Sequence, residues 1–184
     1  MKPILQTSVP EEDAVLREES MLVPDELFGT SALDAMLLEM AEVLDATPNG
    51  VALAAPQIGL LWRIFIVRYD RMLSQSEEDE NPNPAPAVGV YINPSIVRTS
   101  KRKLEMDEGC LSVSTHFGKT IRFDRATVPA QDAQGTWFER GAGGILAQAF
   151  QHEIDHLNGM LFIDHATNLV TSEEHRARHT TDNA

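Results

Sequence analysis

The segment GGILAQAFQHEIDHLNG, residues 143–159, constrains this chain more than any other. Its spacing predicts a helix that Gly143-Gly144 opens and Asn158-Gly159 closes. Ile145, Gln148, Ala149, His152 and His156 fall on one face. Two imidazoles four residues apart stand about one turn apart and can share one cation. Glu153 is rotated about 100° from His152, so it can reach a water on that cation without ligating it. The apolar flanks LAQAF and LNGMLF bury this face, and a buried charged Glu153 needs a partner or a task. Two helix histidines bonded only to carbonyls or water would leave that carboxylate unexplained.

A catalytic metal takes three protein ligands and keeps one open position. A third histidine ten residues after His152 would fall on Phe162, so that pattern fails. Glu173 and Glu174 lie downstream in a polar tail, and His165 is a weaker candidate. Cys110 is the stronger one. As the single cysteine it can form no intramolecular disulfide, and composition alone favours a buried small hydrophobe. In MDEGCLSVS, however, Gly109 lets the backbone approach closely beside it. A thiolate with two imidazoles suits a divalent transition metal, whose binding deprotonates the thiol.

The rest of the chain supplies a core. SALDAMLLEMAEVLDA, residues 31–46, predicts a helix with Ser31 as N-cap and Asp34 in a capping-box position. WRIFIVRY (62–69) reads as a strand, and VYINPSIV (90–97) as one interrupted at Asn93-Pro94. Residues 119–140 suggest strands joined by a turn near Asp132 to Gly135, and LFID (161–164) a short extended segment. The acidic, proline-rich stretch 74–89 reads as a loop insertion. The expectation is a single-domain α+β fold, with mixed or antiparallel strands around the helix that carries HEIDH. Residues 1–168 would be the catalytic domain and 169–184 a polar, fraying tail, with His175 and His179 exposed in it. With 184 residues, a net charge of −13 and no 18-residue apolar run, neither specific DNA binding nor membrane insertion is expected. The N-terminus lacks a signal-peptide pattern, which points to the cytoplasm.

Three stretches, GVALAAPQ (50–57), EGCLS (108–112) and QHEIDH (151–156), resemble in order and spacing the signature motifs of peptide deformylases. The resemblance implies a hydrolase that removes the formyl group from the N-terminal formylmethionine of nascent polypeptides. It implies a metal on Cys110, His152 and His156, with Fe(II) as the native ion and Zn, Ni or Co in prepared samples. By position, Glu153 is the general acid/base, and Gln57 with the backbone N–H of Leu111 stabilises the oxyanion. Glu108 and Arg122 form a pair behind the cysteine segment. Gly50, Val51 and Ala52 line the peptide groove, and Ile145, Gln148 and Ala149 the methionine pocket. The partners implied are N-formylmethionyl peptides, with any contact to the ribosome transient.

The chain departs from the pattern at Ala52, where the family carries glycine, and at Ser114, where proline is common. An added methyl at 52 would narrow the groove or disfavour a glycine-like backbone. Two other readings remain open here. One is a metallopeptidase with a downstream third ligand. The other is a protein that binds peptide N-termini without turning them over.

Overall fold

The computed structural model describes residues 1–72 and 87–181, with the backbone alone at residues 176 and 178–181. Helices α1 (Pro10–Leu16) and α2 (Ser31–Asp45) precede β1 (Ala52–Ala54) and β2 (Ile64–Arg68). Next come β3 (Val88–Ile92), β4 (Arg98–Thr99), β5 (Lys103–Cys110), β6 (Val113–Phe123), β7 (Arg125–Gln131) and β8 (Trp137–Gly143). Helix α3 (Gly144–Leu157), β9 (Thr167–Thr171) and α4 (Ser172–Thr181) complete the described chain. One sheet runs β1-β2-β3-β7-β4 with β8 on β7, the other β5-β6-β9, and every named pairing is antiparallel. This is the expected α+β class with the HEIDH helix at its centre.

Strand β2, IFIVR, is apolar on both sides because both faces are covered. Ile64 and Ile66 pack with Leu33, Met40, Val43 and Leu44 of α2. Phe65 and Val67 pack with Leu146, Ala149, Phe150 and Ile154 of α3. Phe65, Tyr91 and Phe150 are fully buried and in ring contact, each contributing roughly 1.5–3 kcal/mol by burial. The sheet is therefore sandwiched, and α3 is fixed against it by an aromatic core. The β7–β8 turn forms as expected. The Asp132 carboxylate accepts from the N–H groups of Gln134 and Thr136, both at 2.9 Å, and Gly135 takes a positive φ of 82°.

Four local expectations change. The α2 cap is Thr30, whose hydroxyl accepts from the Leu33 N–H at 3.3 Å, one residue before the expected Ser31. Residues Phe162–Asp164 form a 3-10 turn because the Asp164 carboxylate accepts from the Leu161 N–H at 2.8 Å. The expected fraying tail instead begins within β9, which pairs with β6, and continues as α4. His175 is half-buried rather than exposed, and the side chain of His179 lies outside the described residues. The loop expected at 74–89 also lies outside them, apart from Ala87 and the first residues of β3, Val88 and Gly89.

Candidate metal centre

Helix α3 is oriented by Gln151. Its Nε2 donates to the carbonyls of Phe123 (3.0 Å) and Ala147 (2.8 Å), and its Oε1 accepts from the Phe123 N–H (2.9 Å). This buried amide ties the helix to the end of β6. Cys110 arrives at the end of β5, just after a register shift between Gly109 and Cys110. Such an irregularity re-aims a side chain. The Cys110 Sγ lies 3.1 Å from His156 Nε2. One donor atom from each of Cys110, His152 and His156 lies within 4.8 Å of the others. A sulfur and two imidazole nitrogens converging this closely fit a divalent transition metal.

The other nitrogen of His152 is already committed. Its Nδ1 donates to Glu108 Oε1, which fixes the ring and leaves Nε2 for a cation. Glu108 also accepts from Arg122 Nη2 (2.6 Å) and Nε (2.9 Å), and from the Thr120 hydroxyl. Arg122 Nη1 donates to Asp155 Oδ2 at 2.6 Å, which returns the chain of bonds to α3. The Arg122 and Glu108 side chains are 6% and 3% exposed. Burial pushes the Glu108 carboxyl up, but its bonds to His152 and Arg122 outweigh that and hold it well below the ordinary range. Burial pushes His156 down, which favours the neutral ring a ligand needs. Sequence reasoning missed Asp155. The only signal was an acid at the fourth position of HEIDH.

Glu153 is 3% exposed, and its Oε2 has no hydrogen-bond partner among the described residues. Burial lifts its pKa to about 7. It lines a cleft of about 390 Å³ that opens beside the cluster. All six residues expected to bind substrate, Gly50, Val51, Ala52, Ile145, Gln148 and Ala149, line that cleft. So do Gln57, Glu108, Cys110, Leu111 and His152, while Arg122 and His156 are not part of its lining. Gln57 Oε1 accepts from the Ala54 N–H (2.8 Å), which turns its Nε2 toward Ser112 Oγ (3.2 Å) and Cys110 Sγ (3.5 Å).

The N-terminal segment straps these loops, which sequence reading did not foresee. Leu5 N–H donates to the Gln57 carbonyl (2.8 Å), Gln6 Nε2 to the Leu111 carbonyl (2.9 Å) and Thr7 N–H to the Ser112 carbonyl (3.0 Å). Two of these are main-chain bonds, which carry no residue signature. Ala52 sits opposite Val67 in β1, and among the described residues only Asn93 and Asn168 are non-glycines at positive φ. Its backbone is therefore ordinary strand rather than glycine-like, and the expected backbone penalty does not arise. None of the alternative ligands joins the cluster. Phe162 is in the core, His165 faces Asp155 at 4.0 Å, and Glu174 caps α4 through Thr171.

Two imidazoles, a thiol sulfur and an unpartnered carboxylate beside an open cleft are the equipment of a metal-dependent hydrolase acting on an amide. The polypeptide deformylase family model matches residues 1–172. A peptide deformylase of Acidobacterium capsulatum is 44% identical over 115 residues, covering 62% of this chain and 61% of that protein. Peptide deformylase 1 of Clostridium perfringens is 36% identical over 154 residues, covering 84% and 92%. The Met-Ala-Ser-bound class I type b peptide deformylase of Acinetobacter baumannii superposes with a TM-score of 0.75 at 27% identity, covering 90% of this chain and 98% of that one. The chain belongs to the peptide deformylase family, metal-dependent enzymes that remove the N-formyl group from nascent polypeptides. No helix among the described residues is long and apolar enough to cross a membrane.

Proposed function

We propose that the cleft binds an N-formylmethionyl peptide and that Cys110, His152 and His156 hold one Fe(II) ion beside its formamide. Zinc, nickel or cobalt would suit the same donors. When bound, the ion supplies Lewis acidity, polarising the formyl carbonyl and acidifying water. Glu153 takes a proton from the attacking water at its unpartnered Oε2 and delivers it to the departing amine nitrogen. Formate and a free N-terminal methionine result. Gln57 Nε2 and the Leu111 N–H donate to the oxygen as charge builds on it, and losing one such donor costs about 3 kcal/mol. Glu108, held by Arg122, keeps His152 in its tautomer. Gly50, Val51 and Ala52 run along the peptide, while Ile145, Gln148 and Ala149 receive the methionine side chain. The enzyme would act in the cytoplasm, with transient contact to the ribosome.

The observation that carries this reading is the buried, unpartnered Glu153 carboxylate beside a converging sulfur and two imidazoles. The test is formate release from formyl-Met-Ala-Ser by protein purified without oxygen and loaded with Fe(II) or nickel. Release that requires Glu153 and spares acetyl-Met-Ala-Ser is expected. Binding of the peptide with no formate would replace the hydrolase by a non-catalytic binder.

A further inference from the structure

Phe117 takes no part in the chemistry above, yet among the described residues it is the only phenyl ring lining the cleft. It stands on β6 opposite Gly109 of β5. A Cβ at residue 109 would meet its Cε1 at 2.5 Å, so the ring presses on the backbone that delivers Cys110. From α4, His175 stacks on the same ring, with centroids 4.0 Å apart and planes 14° from parallel.

The element that carries His175 is itself anchored. Phe117 pairs with Val170 of β9. The start of α4 is closed reciprocally. Thr171 N–H donates to Glu174 Oε2 (2.8 Å), and Glu174 N–H donates to Thr171 Oγ1 (3.2 Å). Ser172 Oγ donates to the Ser114 carbonyl at 2.7 Å. His175 is thus presented from a fixed turn onto a ring that faces the cleft.

We propose that Phe117 is the wall that reads the peptide beyond its formylated methionine, and that His175 is a positioning residue that holds this wall from the C-terminal helix. The proposal rests on the cleft being the peptide site. An extended peptide sends successive side chains to opposite sides. With the methionine turned toward Ile145, Gln148 and Ala149 of α3, the following residue turns away from that helix. A ring already locked by its stack offers that residue an apolar face without first losing rotational freedom.

Calorimetric titration of nickel-loaded protein with Met-Ala-Ser and with methionine amide tests this. His175→Ala is expected to weaken Met-Ala-Ser by about threefold to tenfold, the worth of one ring pair, and to leave methionine amide unchanged. His175→Phe should restore the tripeptide. In a Phe117→Ala background, His175→Ala should weaken the tripeptide no further, because that effect is transmitted through the ring. With formyl-Met-Ala-Ser, KM should rise by the same factor while kcat holds. An equal loss for both ligands, no loss, or additive losses in the double variant overturns the proposal. If wild-type protein binds both ligands but releases no formate, the hydrolase reading fails and the affinity ratios still decide this one. If it binds neither, the cleft is not the peptide site and both fall.

Discussion

Replacing Arg122 with alanine removes three hydrogen bonds at once, two to Glu108 and one to Asp155. Glu108 stays almost fully enclosed, with only Thr120 and His152 left as side-chain partners. Breaking one partner out of a buried ion pair costs about 3–5 kcal/mol, because the remaining charge is stranded away from water. A domain of this size is stable by only about 5–15 kcal/mol, so urea unfolding of Arg122→Ala should show a large loss or outright unfolding. Arg122→Lys keeps the charge but not the forked geometry, and provides a folded intermediate case. The second consequence is at the metal. A loosened Glu108 no longer fixes His152, and loss of such support lowers metal affinity by about 10–100-fold. Competition with a chromogenic chelator measures that directly. The double variant Glu108→Gln/Arg122→Met separates the two effects. It removes both charges together, so much of the stability should return while metal affinity stays low. Wild-type stability and metal affinity in Arg122→Ala would refute the reasoning. So would a double variant in which affinity recovers along with stability.

Glu153→Gln should keep its metal by elemental analysis yet lose about 10²–10⁴-fold in formate release, whereas Cys110→Ser should lose the metal itself. Treating the wild type with a chelator should abolish release, and fresh Fe(II) or nickel should restore it. Gly159→Ala should lower stability by about 2 kcal/mol or more, read as a drop in Tm, since φ is +70° there and a Cβ would overlap the Arg17 carbonyl oxygen. Ala52→Gly should cost about 0.5–1 kcal/mol of stability without raising kcat, because the alanine sits in unstrained extended backbone. A large gain in kcat would show that the methyl obstructs the reaction.

What was legible in the sequence follows from the range of the forces involved. The α3 periodicity, its glycine ends and the His152/His156 spacing are local, and the helix formed as its sequence demanded. Helix α2 and strand β2 were equally readable, because each has an apolar pattern that burial enforces. LFID misled because its apolar run mimics a strand, while Asp164 closes a turn through its own side chain. Helix α4 was invisible for the opposite reason. Its sequence, SEEHRARHTT, has no apolar stripe, and the contacts that hold it include a cap, the pairing of β9 with β6 and the His175 ring stack.

The site repeats that division. Chemistry singled out Cys110 as a ligand, but its path to the histidines depends on an irregularity between Gly109 and Cys110 and on a Phe117 ring that tolerates no side chain at 109. The N-terminal strap is a further case: Leu5, Gln6 and Thr7 engage Gln57, Leu111 and Ser112 across the fold, mostly through main-chain bonds that nearly any sequence could make. The two ends of the described chain therefore converge on one cleft, residues 5–7 behind the loops that carry Gln57 and Leu111, and α4 behind Phe117. A change near either end should reach catalysis through placement of the substrate and the oxyanion donors, while His152, braced separately through Glu108 and Arg122, keeps its orientation.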